Sequence, residues 1–118
     1  MSRIDIEILK PESALRAFAN TWRRTRSGKK LTPRIAFGSL RELFSAITEK
    51  RLELIRFVAS HDGLNTRQLA LQLGRDYKNV HTDVNDLVEL GLLEKDTEGR
   101  LTAPYDEIVI HASVRDAA

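Results

Sequence analysis

Three residues, Gly74-Arg75-Asp76, separate two stretches whose apolar side chains recur at helical spacing. Upstream, Leu69, Ala70 and Leu73 share one side of a helix that begins after Asn65 or Thr66. Downstream, Val80, Val84, Leu87 and Leu90 or Gly91 do the same over roughly Tyr77 to Leu90. Glycine admits the left-handed backbone that ends a helix, and Asp76 offers a carboxylate to the free amides that begin the next one. So short a connector obliges the two helices to pack together at a steep angle. The chain then runs Leu92-Leu93-Glu94-Lys95, Asp96-Thr97-Glu98-Gly99 and Arg100-Leu101-Thr102, which reads as strand, turn, strand.

The flanking sequence supplies further elements. Ile4, Ile6 and Ile8 alternate with Asp5 and Glu7, the period of a half-buried strand. Pro11 and Glu12 suit a first helical turn, after which Leu15, Phe18, Ala19 and Trp22 form an apolar stripe, read as core or dimer interface. Arg34-Ile35-Ala36-Phe37 is a candidate short strand after Pro33. Ser39 with Glu42 is a capping-box pair for a helix with inner face Leu40, Leu43, Phe44 and Ile47. Thr48 is placed to cap a helix burying Leu52, Ile55, Val58 and Ala59, which His61-Asp62-Gly63 ends. Ile108 to Ala112 reads as one more strand after Pro104. The expected fold class is α+β, with a strand-helix extension over 1–47, the helix-turn-helix and hairpin within 48–112, and a tail over 113–118.

Several function classes are excluded at this level. The sequence has no cysteine, so neither a disulfide scaffold nor a thiolate nucleophile or metal ligand is available. His61, His81 and His111 lack metal-ligand spacing, and Ser27-Gly28-Lys29-Lys30 lacks the leading glycine and the Ser/Thr of a phosphate loop. The expectation is a protein that is not an enzyme and uses no cofactor or metal. No apolar run approaches the ~18 residues of a membrane span, and the alternating first ten residues are unlike a signal peptide, so a cytoplasmic location is expected.

The helix after Asp76 carries the functional signal. Opposite its apolar stripe lie Lys78, Thr82, Asn85 and Glu89, with Asn79 and Asp86 beside them. Lysine can reach guanine, asparagine can pair with adenine through two hydrogen bonds, and threonine can bond a base or touch a thymine methyl. Arg67, Arg75 and the exposed amides at the helix starts are candidates for phosphate contacts, as is Arg100 at the hairpin. Tyr77 and His81 flank the same surface. An opposing signal comes from the charge distribution. Residues 1–60 carry 13 Lys/Arg against 6 Asp/Glu, a net of +7, whereas residues 61–118 carry 6 against 11, a net of −5. The half with the groove-reading pattern is the acidic one, and Asp96 and Glu98 would repel phosphate if the hairpin tip faced it.

Residues 50–101 resemble the winged helix-turn-helix regulators of the MarR/ArsR kind, Val88-Glu89-Leu90-Gly91-Leu92-Leu93 matching their helix-to-wing junction. Gly74 through Val84, and Ala103-Pro104-Tyr105-Asp106-Glu107-Ile108, are similar to a family of small prokaryotic DNA-binding proteins that also carries the strand-helix extension. The resemblance implies a winged helix-turn-helix, a transcriptional regulator, a homodimer and duplex DNA as partner. Some relatives resemble antitoxins, which implies an alternative: a protein-interaction module that binds a toxin-like partner and represses its own operon. The basic run Arg23, Arg24, Arg26, Lys29 and Lys30 fits three roles: a phosphate-gripping arm, a dock for an acidic partner, or a solvated helix end.

Overall fold

The alternation over Arg3–Ile8 forms strand β1, which buries Ile4 and Ile6 on one face and turns Arg3, Asp5 and Glu7 to the other. The structure, a computed structural model, describes residues 2–9 and 32–115. The expected Leu15–Trp22 helix and the basic run Arg23 to Lys30 lie outside the described residues. The chain divides into two units, one built from residues before 46 and from 107 onward, the other from 46–106.

In the first unit β1 is the middle strand of three, between β2 (Arg34–Phe37) and the strand Glu107–His111, which is β5 in chain order; both pairings are parallel. Ile6 lies beside Ile35 and Ile110, and Ile4 beside Ile108, so one face is apolar. The opposite face is a mosaic of charge. Arg34 pairs with Glu7, and the Asp5 carboxylate lies 3.4 Å from Arg3 Nε and 3.6 Å from His111 Nε2. Sequence reasoning grouped 48–112 together. The last strand instead bonds to β1, so 46–106 is an insertion between two parts of the first unit.

Helix α1 (Leu40–Ala46) begins with the expected pair in a shifted form. Ser39 Oγ accepts from the Glu42 amide at 3.2 Å, while Glu42 reaches back to the amide of Gly38 rather than of Ser39. Its expected inner face is corrected: Leu43 and Ile47 are buried, but Leu40 is 46% and Phe44 62% exposed. A seven-residue helix has fewer than two turns, and its buried side is limited to Leu43, with Leu40 and Phe44 both lying to one side of it.

In the second unit, Thr48 caps α2 (Glu49–Ser60), accepting from the Arg51 amide. This helix buries Leu54, Ile55 and Val58; the expected Leu52 is half-buried and Ala59 exposed, because the inward line runs one position earlier. Asn65 and Gln68 form a reciprocal capping box at the start of α3 (Thr66–Leu73), which buries Leu69 and Ala70. Gly74, at φ +64, closes α3 in the left-handed conformation that a side chain would strain. Asp76 then caps α4 (Tyr77–Glu89), whose Val80, Val84 and Leu87 are buried as the periodicity predicts. Gly91, also at positive φ, lets the Leu92 amide bond back to Leu87 O at 2.9 Å and turns Leu92 and Leu93 into the core.

Strands β3 (Glu94–Lys95) and β4 (Leu101–Thr102) form a short antiparallel hairpin. Buried Leu101 donates its amide to Leu64 O and accepts from the Gly63 amide, so the loop after α2 lies against the hairpin as a third chain. Among the described residues no helix is long and apolar enough to cross a membrane.

Burial predicts which truncations matter. Leu87→Ala, at a fully buried position, should cost about 2–5 kcal/mol, whereas Leu71→Ala on the exposed side of α3 should stay within about 0.5 kcal/mol. Urea unfolding of the two variants checks the contrast; equal losses would contradict the packing described.

Candidate nucleic-acid interface

The N-cap and the stripe Val80–Val84–Leu87 fix the rotation of α4, leaving Lys78, Asn79, His81, Thr82 and Asn85 exposed. Lys78 makes no ion pair among the described residues, and Thr82 Oγ1 donates to Lys78 O at 3.1 Å. Asp76 accepts from the Asn79 amide, so that helix-start amide already has a partner.

Four of the expected contact residues form a row across the turn. The Arg67 guanidinium of α3 sits 4.7 Å from the centre of the Tyr77 ring, a cation–π contact. Tyr77 and His81 are tilted ring to ring at 5.7 Å, and Asn85 Nδ2 lies 3.3 Å from His81 Nδ1. The i, i+4 spacing of 77, 81 and 85 places them one above another on the helix. His81 is therefore an exposed member of this row. His61, by contrast, stacks on Phe57 at 4.1 Å beyond the end of α2.

Two of the three acidic residues of α4, Asp83 and Asp86, point elsewhere, while Glu89 at the C-terminal end is exposed. Arg51 of α2 donates from Nε to Asp83 Oδ1 at 3.0 Å, from Nη2 to Asp86 Oδ2 at 2.6 Å, and from Nη1 to Ala46 O at 2.9 Å. Arg75 Nη2 donates to the other oxygen of Asp83 at 2.8 Å. Arg75 was expected at a phosphate; its guanidinium instead holds the turn to α4. The side chains of Arg51 and Asp83 are only 13% and 15% exposed, so the pair is shielded from water. Burial disfavours the charge on Arg51, but the hydrogen bonds and fields of Asp83 and Asp86 outweigh it and hold its pKa above the ordinary arginine value. A raised pKa on a basic group favours the fold at every pH below the unfolded value and is lost only as pH rises through the folded one. The arginine therefore stays charged throughout the working range.

The hairpin follows the same pattern. Asp96 Oδ1 accepts from the Glu98 and Arg100 amides at 2.9 Å each, turning that carboxylate into the bend itself. Arg100 pairs with Glu98 at 2.9 Å, both well exposed, an arrangement worth little in water and readily exchanged for another anion.

Sequence reasoning missed Arg51 altogether. The signal available was the spacing of Asp83 and Asp86, which share one side of a helix; nothing local indicates which cation faces them. Among the described residues no group of three or more His, Asp or Glu is arranged to hold a metal ion.

The stretch from Ala46 to Ile110 holds this whole arrangement, and it is the stretch that matches a known family, HVO_A0114. The chain belongs to the HVO_A0114 family. The match covers α2, α3, α4, the hairpin and most of β5 of this HVO_A0114 member. No curated protein and no solved structure matches the chain.

Removing Arg51 leaves two carboxylates without their shared cation. Arg51→Met should destabilise the protein by about 2–3 kcal/mol, below the loss for a fully enclosed pair because Asp86 is half exposed. A double-mutant cycle with Asp83→Asn, read by urea unfolding, should give a coupling energy of about 1 kcal/mol or more; additive losses would show the contact to be idle.

Proposed function

We propose that residues 46–106 form a winged helix-turn-helix and that the protein is a sequence-specific regulator binding duplex DNA as a homodimer, most simply as a repressor. The observation that carries the reading is the segregation of charge on α4. Asp83 and Asp86 are bonded to Arg51, and Asp83 also to Arg75, while Lys78, Asn79 and Thr82 face solvent at the N-terminal end. A helix entering a major groove needs polar heads there, and the one carboxylate beside them, Asp76, is bonded to the Asn79 amide as the cap.

In this reading Lys78, Asn79 and Thr82 contact base edges. Arg67, steadied by the Tyr77 ring, and Arg100, exchanging Glu98 for phosphate, set the register, and His81 and Asn85 line the flank. Arg75 acts indirectly, by holding the turn. Two copies read half-sites about 34 Å apart, or a multiple of that. A protein working on DNA in this way stays in the cytoplasm and needs neither a catalytic residue nor a cofactor.

A second reading is favoured by one observation: Leu40 and Phe44, four residues apart on α1, are both exposed, an apolar pair suited to a protein partner. An antitoxin-like module would use such a surface and could also bind its operator. Absence of a specific shift with the DNA upstream of its own gene, together with a stable co-purified partner, would favour this reading.

Lys78→Ala and Asn79→Ala should each weaken specific binding by about 1–3 kcal/mol, the asparagine change relaxing base preference at one position. The logarithm of affinity should fall steeply with the logarithm of salt concentration. Gel shifts and fluorescence anisotropy against the upstream duplex check both; unchanged affinity in a folded double variant would remove α4 from the interface.

A further inference from the structure

Strand β5 lies at one edge of the three-stranded sheet, and among the described residues nothing pairs with its outer side. Its sequence, Glu107-Ile108-Val109-Ile110-His111, has no proline and a continuous apolar centre, and Ile110 is 43% exposed. The other edge is guarded: Pro33, which has no amide to donate, precedes β2, and Arg34 begins it. An edge with charge only at its ends, Glu107 and His111, and no proline at its start invites another strand.

We propose that the strand it receives is β5 of a second copy of this chain, antiparallel about a two-fold axis through Val109. The two three-stranded sheets then become one continuous sheet of six strands. The argument is the self-complementarity of the register. With Val109 facing its own counterpart, Ile108 faces the second copy's Ile110 twice over. Those residues lie on the face that Ile4 and Ile6 make apolar, so the apolar face runs unbroken across the axis. On the other face Glu107 meets the second copy's His111 at both ends. A carboxylate and an imidazole hydrogen-bond in either state of the ring and form an ion pair when it is protonated. Moving the centre to Ile108 sets Ile110 against Asp106, and moving it to Ile110 sets Glu107 against Ser113. Of these three registers, only that centred on Val109 matches both faces.

This interface deepens the dimer in the proposed function but does not require the groove reading. Because the chain has no cysteine, one introduced thiol reports on it cleanly. Directly opposed antiparallel residues have Cα atoms about 4.5–5.5 Å apart, within the span of a disulfide. Val109→Cys, nearly isosteric, should therefore cross-link to a covalent dimer under mild oxidation. Ile108→Cys should not, since its counterpart lies two residues along the strand, about 8 Å away at a rise of about 3.4 Å per residue. Val109→Lys should give a monomer by light scattering: its ammonium can pair with Asp5 beside it in its own sheet but meets a second ammonium across the axis.

A monomeric wild-type chain would overturn both the dimer and this interface. A wild-type dimer in which Val109→Cys fails to cross-link, or Ile108→Cys cross-links equally well, would leave a dimer but overturn its assignment to β5. A chain that cross-links as expected yet shifts no DNA would sustain β5 and refute the groove reading alone.

Discussion

The Asp83 carboxylate, held on one oxygen by Arg51 and on the other by Arg75, is the contact on which the second unit turns. It joins α2, the turn and α4 in one bonded cluster, and Arg51 extends the cluster to Asp86 and the carbonyl of Ala46. Packing of Val80, Val84 and Leu87 sets the depth of α4 in the core. The cluster restrains its rotation, because displacing the helix would break hydrogen bonds in a place with little water to replace them.

The same contact answers the difficulty raised by charge. A net of −5 over residues 61–118 looks adverse to any polyanionic partner when read as a sum. Asp83 and Asp86 face arginines, Asp96 serves the amides of its own bend, and Asp76 caps α4. What matters to a ligand is the field at the exposed face, not the total, and near Lys78 and Asn79 that face is comparatively free of acid. A carboxylate bonded within the fold has part of its charge met there, even where, as at Asp76, Asp86 and Asp96, it still reaches the surface.

Much of this was legible in the sequence where the cause is local. Asp76 and Thr48 were readable as caps because a short polar side chain before an apolar period has few other uses. Gly74 was readable as a helix end, and the buried side of α4 followed from its spacing. The Asn65–Gln68 capping box carried a readable signal of its own, an asparagine followed three residues later by a glutamine. Where the cause is distant the sequence was silent. Nothing in Ile108-Val109-Ile110 says that its neighbour is Ile4-Asp5-Ile6, roughly a hundred residues earlier, because strand pairing is decided by assembly. Arg75 had the same chemistry for a phosphate as for Asp83, and only the fold chose. Leu40 and Phe44 had the spacing of a core stripe on a helix too short to bury it.

The central claim is that this internal clamp presents the start of α4 to DNA while turning Asp83 and Asp86 away. The most direct measurement is a titration of the isotopically labelled protein with the duplex from upstream of its own gene, followed by NMR amide shifts. The account predicts the largest changes at Lys78, Asn79, Thr82 and Asn85, with Asp83 and Asp86 little affected. Changes confined to the residues of β1, β2 and β5, or none anywhere at saturating duplex, would contradict it.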